Sequence, residues 1–346
     1  MAAFVNSIIR WASVGLLLAV GWPAVTVVAG NADPEPAELK AAAESISLLG
    51  PSNPAPPQPA PGAKLSPERR AEVDEMIKKA QAALDQAHGI FGEYHPDVSL
   101  ALNNLGALYS SVGQHKQAEQ AYSRALAIDR KLFGNDVIQV GSDLNNLAAV
   151  TMAQQDYAKA EPLLKESLAV QEKLMGPQHP FLVISLVNLA TCYAARRRPA
   201  DAEPMLIRAL QIREQADGPQ SATVSQSLRQ LAGVYLDEKK FDQAEPLLRR
   251  ALTLDEKLLG ADKPYTGMTV FMLAKAVYGV GKYPEADQLF HRALITFEKS
   301  LGLNHPQVAD VLDESSICLR RVGKIDDAKA AKLRAKQIRS ANKAGS

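Results

Sequence analysis

The chain has few aromatic side chains, few cysteines and almost no net charge. Phenylalanine, tryptophan and tyrosine make up 5% of its 346 residues, so helices packed through alanine and leucine suit it better than an aromatic core. The 39 lysines and arginines balance 38 acidic residues, which leaves a net charge of +1. Such a balance creates no overall field that would attract nucleic acid or a membrane surface.

The two cysteines, Cys192 and Cys318, are 126 residues apart. This separation is three times 42, the period of the repeat described below, so both occupy one position of the repeat. Packed helices lie about 8–10 Å apart, which places the cysteines on the order of tens of ångströms from each other in a stacked array. A disulfide needs Cα atoms within about 7 Å. We therefore expect two packing residues and no intramolecular bridge.

Motifs of enzymatic chemistry are also missing. The sequence has no glycine-rich phosphate loop, no G-x-S-x-G motif and no C-x-x-C pair. His95, His179 and His305 each precede a proline at one repeat position, where we expect them to flank or cap a helix rather than to bind a metal. The sequence therefore predicts a non-enzymatic protein with no metal site and no cofactor.

Three Glu-Pro pairs, which begin at Glu161, Glu203 and Glu245, recur at the same period. Carboxylates that act as general acid and base must converge on one cleft. Side chains that repeat along an array instead form a ridge, so we expect a solvated role or a structural role between repeats.

The first 30 residues have the composition of an export signal. Arg10 is their only charged residue, and Val28 and Gly30 suit the −3 and −1 positions of a signal-peptidase site. A cleaved signal peptide and an uncleaved anchor through residues 11–30 both remain open, because about twenty uncharged residues can span a bilayer. Either would carry the rest of the chain out of the cytoplasm. We expect an exported protein, periplasmic or secreted, or tethered to the inner membrane.

Residues 31–65 are rich in proline, with six prolines between Pro51 and Pro61. Such a composition favours extended conformers and cannot form a core. We expect a disordered linker.

A step of 42 residues recurs along most of the remaining chain. One glycine, one alanine and one leucine keep this step over five or six copies, which predicts a repeat architecture. The series are Gly92, Gly134, Gly176, Gly218, Gly260 and Gly302; Ala118, Ala160, Ala202, Ala244, Ala286 and Ala328; and Leu105, Leu147, Leu189, Leu231 and Leu273.

Each copy contains two amphipathic helices, called helix A and helix B below. In the first copy, helix A is predicted from about Asp97 to Ser111, and helix B from about residue 116 to Phe133, with Gly134 as its stop. A break with Gly113 separates them. One hairpin cannot bury both its faces, so successive hairpins must stack.

The sequence resembles the tetratricopeptide repeat, whose usual unit is about 34 residues. The strings His95-Pro96-Asp97-Val98 and Leu102-Asn103-Asn104-Leu105-Gly106 look like the kinesin light chain subfamily, which has 42-residue repeats. This resemblance implies an all-α fold, a right-handed superhelical solenoid of antiparallel helix hairpins. The motif of the first copy is Leu102, Leu105, Gly106, Tyr109, Ala118, Tyr122 and Ala125.

The array is predicted over residues 66–340. A leading helix over residues 66–92 begins with Ser66-Pro67-Glu68, which fits an N-cap followed by an early acidic residue. Repeats start near residues 95, 137, 179, 221, 263 and 305, the last one degenerate, and residues 341–346 are expected to be a disordered tail. The basic last helix is interpreted as a solvated cap, with an acidic partner or lipid headgroups as the alternative.

The resemblance also implies a concave groove lined by the A helices, in which asparagines hold a peptide. Amides both donate and accept hydrogen bonds, as an extended backbone requires. For Asn104, Asn146 and Asn188 the alternative is hydrogen bonding between neighbouring helices. The predicted groove residues are Asn103, Asn104, Ser110, Asn145, Asn146, Asn188, Gln226, Arg229, Phe271 and Lys275.

The predicted function is a non-catalytic scaffold in the cell envelope that binds a protein or peptide, and not nucleic acid. Two alternatives are a self-assembling envelope module and, with no supporting constellation of residues, an α/α-fold enzyme. The sequence leaves the oligomeric state undetermined.

Overall fold

The computed structural model describes residues 67–344, and in this range the chain forms thirteen α-helices and no strand. The predicted all-α fold is confirmed. The helices are α1 Pro67–Phe91, α2 Pro96–Ser111, α3 His115–Phe133, α4 Ile138–Ala153, α5 Tyr157–Met175, α6 Leu182–Ala195, α7 Pro199–Asp217, α8 Ala222–Asp237, α9 Phe241–Leu258, α10 Pro264–Val280, α11 Tyr283–Leu301, α12 Pro306–Arg321 and α13 Ile325–Ala344.

The predicted segments 1–30 and 31–65 lie outside the described residues. The last helix continues to Ala344, so the start of the segment expected to be a disordered tail is helical. No helix in the part of the chain that the structure describes is long and apolar enough to cross a membrane.

The chain divides into two compact units, and the boundary lies between Arg198 and Pro199. In the first unit, α1 packs on the hairpin α2–α3, which is followed by the hairpin α4–α5 and by α6. In the second unit, α7 packs on α8, and the hairpins are α8–α9, α10–α11 and α12–α13. The even-numbered helices α2 to α12 are A helices, and the odd-numbered helices α3 to α13 are B helices.

The recurring alanine of helix B is a core residue of each repeat. It is fully buried in all six copies, from Ala118 to Ala328. Gly106 permits a close approach, since a Cβ atom built on it would lie 2.8 Å from Cε1 of Tyr122. Small residues at these positions let each B helix approach its partner closely, as the sequence predicts.

Each A helix of a hairpin is followed closely by a residue in the left-handed region, which turns the chain toward helix B. Gly113 has a φ of 78°, as expected for this turn, but Gln155 and Lys239 adopt φ values of 65° and 59° at the equivalent positions. A non-glycine residue in this region is strained by about 1–2 kcal/mol. Stacking of the repeats therefore imposes this conformation even where glycine is missing.

Neighbouring hairpins meet at a register in which a helix B residue faces the helix A residue fourteen positions later. Gln171 on α5 thus contacts Ser185 on α6, with 2.9 Å between Oε1 and Oγ. In the second unit, Oγ1 of Thr269 on α10 donates to Oδ2 of Asp255 on α9 at 2.5 Å. These four side chains are buried, so the interfaces between repeats contain polar groups that satisfy each other.

Candidate functional site

The predicted groove residues all lie on A helices, but the structure divides them between the two units. Below, the helix-A surface of a unit means the accessible side chains of its A helices. In the first unit the predicted residues are Asn103, Asn104 and Ser110 on α2, Asn145 and Asn146 on α4, and Asn188 on α6. In the second unit they are Gln226 and Arg229 on α8, and Phe271 and Lys275 on α10.

Several of the predicted amides bond between repeats. Nδ2 of Asn103 donates to Oδ1 of Asp143 on α4 at 2.8 Å. Nδ2 of Asn188 donates to Oδ1 of Asn145 at 3.0 Å, and the Asn188 side chain is buried. Hydrogen bonding between neighbouring helices, the alternative considered for Asn188, is therefore confirmed, and Asn103 and Asn145 also take part in such contacts.

Asn104 and Asn146 behave differently. Both are half-buried, and the amide nitrogen of Asn104 is a buried atom with no hydrogen-bond partner among the described residues. Ser110, one turn and a half further along α2, is also half-buried. The amide nitrogen of Asn104 thus lies beneath the helix-A surface of the first unit, whereas Asn146 and Ser110 are partly accessible there. The contact of all three residues with a peptide remains a prediction.

The helix-A surface of the first unit carries almost no charge. Helices α2, α4 and α6 contain two charged residues between them, which are Asp97 in the first turn of α2 and the buried Asp143. Ala149 and Ala153 are exposed on α4. A surface of amides, hydroxyls and small apolar groups can bind a peptide main chain without first removing the hydration shell of a charge.

Arg229, predicted to be a groove cation, lies inside the second unit. Its side chain is 13% exposed, and Nη1 lies 2.6 Å from Oδ2 of Asp255 and 3.0 Å from Oγ of Ser225. Nη1 also reaches Oγ1 of Thr269 at 3.4 Å. Arg229 thus joins α8, α9 and α10, and its guanidinium is engaged within the protein.

Lys275 and Phe271 lie next to each other on α10, in the helix-A surface of the second unit. The ammonium of Lys275 lies 5.8 Å from the centroid of the Phe271 ring, which packs edge-on against Phe290. Burial lowers the pKa of Lys275, opposed by the carboxylates of Glu314 and Asp237. Gln226, also predicted here, is half-buried on α8.

Acidic residues outnumber basic ones around Lys275. Burial raises the pKa of Asp237 to about 6, and the nearby charge of Lys275 opposes this shift. Asp310 accepts a hydrogen bond from Arg339 of α13 at 3.0 Å, and Asp313 also pairs with Arg339. Sequence reasoning missed this acidic surrounding of Lys275 because Asp237 and the acidic residues of α12 belong to different repeats.

The glutamates of the Glu-Pro pairs form contacts between successive repeats. Each glutamate meets the basic residue 37 positions later, just before the next B helix. Arg198 Nη1 lies 3.1 Å from Oε2 of Glu161, and Lys282 Nζ lies 2.8 Å from Oε1 of Glu245. Lys240 Nζ likewise lies 3.1 Å from Oε2 of Glu203, so the structural role between repeats is confirmed for all three glutamates. The matching cations recur at the period in the sequence, so the pairing could have been found there.

The histidines and cysteines also have structural contacts. Nδ1 of His95, His179 and His305 accepts a hydrogen bond from the backbone N–H two residues later, at 3.2, 3.2 and 3.3 Å. Residues 67–344 contain no cluster of His, Cys, Asp or Glu that could hold a metal ion. Cys192 and Cys318 are buried free thiols, as predicted for packing residues.

Known protein families and solved structures share this architecture. The family model described as tetratricopeptide repeat matches residues 68–131, 142–215 and 223–294. No curated protein matches the chain. Together with the solved structures below, the match confirms the expected fold and the resemblance to kinesin light chain repeats.

Three solved structures illustrate the similarity. BtubC (BKLC) from P. vanneervenii is 25% identical with a TM-score of 0.56, over 66% of this chain and 92% of that chain. The kinesin light chain TPR-like repeats from Podosopora anserina are 23% identical with a TM-score of 0.54, over 59% and 97%. RapI in its apo form is 17% identical with a TM-score of 0.59, over 80% and 94%.

Proposed function

Since the chain belongs to the tetratricopeptide repeat family, we propose that it is a non-catalytic scaffold that binds a peptide or protein segment through its helix-A surfaces. The observation that carries this proposal is the nearly uncharged helix-A surface of the first unit, where the half-buried Asn146 lies on the same helix as the exposed Ala149 and Ala153. An extended peptide needs alternating donors and acceptors, and amides supply both.

A matched pair of alanines tests this surface in the full chain. Ala149 is exposed on helix A of the second hairpin, and Ala169 is exposed on helix B of the same hairpin. A photoreactive amino acid introduced at position 149 should crosslink a discrete partner in cells, whereas the same amino acid at position 169 should not. Equal labelling at both positions, or labelling only at 169, would contradict the proposal.

We further propose that the scaffold works in the cell envelope. This proposal rests on residues 1–30, whose single cation is followed by a long uncharged stretch. A reporter enzyme that folds only outside the cytoplasm, fused after residue 66, should be active. Replacing Leu17 and Leu18 with arginine should abolish that activity, and an active reporter in this variant would count against export by this segment.

The predicted membrane tether and the oligomeric state are decided by separate measurements. Mass analysis of the exported protein distinguishes a cleaved signal peptide from an anchor through residues 11–30. Light scattering over a range of concentrations distinguishes a monomeric scaffold from the self-assembling module, because only the latter grows in mass as concentration rises.

A further inference from the structure

Two carboxyl groups face each other in the interface between the first two hairpins. Asp129 lies on α3 and Asp143 on α4, and their side chains belong to residues that are 4% and 2% exposed. Nδ2 of Asn103 bonds to Oδ1 of Asp143 in this interface at 2.8 Å, and Asp129 lies close enough for its charge to act on Asp143. They occupy the fourteen-residue register at which all neighbouring hairpins meet.

The same register elsewhere pairs a hydrogen-bond donor with an acceptor. Gln171 faces Ser185 with a contact of 2.9 Å, and Asp255 accepts a hydrogen bond from Thr269. Two ionised carboxylates have no proton to place between them and repel each other. A hydrogen bond between Asp129 and Asp143 therefore requires that one of them be protonated.

No charge compensates the pair. Helix α2 contributes the Asn103 amide to Asp143. Its Ser99 hydroxyl, which donates to the Ala125 carbonyl at 3.4 Å, lies close enough to Asp129 to oppose the rise that burial causes in the pKa of this carboxyl. From α3, the Tyr122 hydroxyl interacts with Asp143: burial raises the pKa of Tyr122, and the Asp143 charge raises it further.

The side chains that α5 and α6 pack against α4 near Asp143 are also uncharged. Helix α5 approaches with Ser167 and Gln171, and α6 with Ser185 and Asn188. Among the described residues, no cation forms an ion pair with either carboxyl. Oδ2 of Asp143 is buried without a conventional hydrogen-bond partner, so the other carboxyl is the group left to satisfy it.

Asp255 shows how the fold surrounds a buried carboxyl group in another interface. It has the guanidinium of Arg229 at 2.6 Å and hydroxyl donors from Ser225 and Thr269. At the position of Arg229 in the first repeat stands Asn103, which brings no charge. The first interface thus lacks the cation that Asp255 has.

We propose that Asp129 and Asp143 share one proton, and that loss of this proton loosens the contact between α3 and α4. The contact of Asp129 with Asp143 between α3 and α4 is called the joint below. The joint also includes Asn103, because the Asn103 amide is bonded to Asp143. Release of the proton would therefore alter the helix-A surface of the first unit. The joint itself does not depend on the proposed peptide binding.

The energetics of proton binding agree with this arrangement. Burial, followed by the neighbouring Asp129 charge, raises the pKa of Asp143 from 3.8 to about 8. Burial likewise raises the pKa of Asp129. Because the closed joint binds a proton that the opened joint releases, closure is most favourable below about pH 4 and weakens as the pH rises to about 8.

Hydrogen exchange of the full chain, corrected for intrinsic exchange rates, measures the opening of this joint. Protection of α3 and α4 should fall by up to about tenfold per pH unit between about pH 5 and 8, the limit for one proton. The contact between α9 and α10, where Arg229 supports Asp255, serves as the internal reference and should change less.

Residues from the next interface provide the matched variants. Asp129→Gln combined with Asp143→Ser copies the Gln171–Ser185 pair, which the same fold accommodates one repeat later. This double variant should keep its helical content and lose the pH dependence of α3 and α4. Asp255→Asn is the control substitution outside the joint and should leave the pH dependence of α3 and α4 intact.

Three outcomes would overturn the proposal. The first is a native α3–α4 contact whose protection varies with pH no more than that of the α9–α10 reference. The second is a correctly folded double variant that retains the native pH slope. The third is protection that is flat with pH but rises on addition of calcium, since the pair would then hold a cation instead of a proton.

Discussion

The guanidinium of Arg229 lies 2.6 Å from the carboxylate of Asp255, and the two side chains are 13% and 2% exposed. Arg229 occupies the repeat position at which the resemblance places a ligand-binding residue. In this chain the position joins helices instead. Substitutions at Asn103, Asn145 or Arg229 therefore change the packing between helices as well as any ligand contact.

Replacing Arg229 with alanine should destabilise the second unit by about 3–5 kcal/mol, because it leaves the Asp255 carboxylate buried without its cation. The midpoint of urea unfolding measures this loss. Gln226→Ala, on the same helix but half-buried, should change stability by less than about 0.5 kcal/mol. If both variants unfold at the native midpoint, the Arg229–Asp255 contact contributes nothing.

Two helical glycines should respond oppositely to alanine. A Cβ atom on Gly106 would lie 2.8 Å from Tyr122, so Gly106→Ala should destabilise by about 1–3 kcal/mol through overpacking. A Cβ atom on Gly89 of α1 would have no neighbouring atom within 4 Å, and Gly89→Ala should stabilise by up to about 1 kcal/mol. Thermal unfolding of both variants tests the prediction, which fails if their midpoints shift in the same direction.

The left-handed residue after each A helix can be exchanged between repeats. Gln155 has a φ of 65°, so Gln155→Gly should relieve strain and stabilise the protein by about 0.5–1 kcal/mol after the entropy cost of glycine. The reverse change, Gly113→Gln, should destabilise by a similar amount. A loss of stability in Gln155→Gly would show that the Gln155 side chain outweighs the backbone strain.

The buried thiols should be protected from alkylation. Burial raises the pKa of Cys192 and of Cys318 to about 11, and each Sγ contacts a backbone carbonyl, that of Tyr157 and Tyr283 respectively. At about pH 8 both should therefore react with iodoacetamide much more slowly than in the unfolded chain. Mass spectrometry after brief labelling counts the modified thiols, and rapid native labelling would contradict their burial.

The helical architecture was accessible from the sequence because it depends on local and periodic signals. Gly134 follows the end of α3, His95 caps α2 and Ala118 is fully buried. The glycine and the alanine repeat from copy to copy and the histidine recurs in three of the six copies, so each repeat supports the interpretation of the others.

The roles of the surface amides were less accessible. Asn103 and Asn104 are adjacent in sequence, yet only Asn103 bonds to Asp143 across the interface. Which of two neighbouring side chains turns toward the next repeat depends on the stacking angle, which no single repeat encodes. The Asp129–Asp143 pair, in contrast, could have been found by aligning the positions fourteen residues apart in successive copies.

The central claim is that the helix-A surface of the first unit binds the partner. The most direct test measures the affinity of the partner captured by crosslinking for the purified native chain, for Ala149→Arg and for Ala169→Arg. Both alanines are exposed, so both variants should fold and melt like the native protein. The account predicts that Ala149→Arg weakens binding at least tenfold while Ala169→Arg binds normally. Native affinity in Ala149→Arg, or a loss confined to Ala169→Arg, would contradict it.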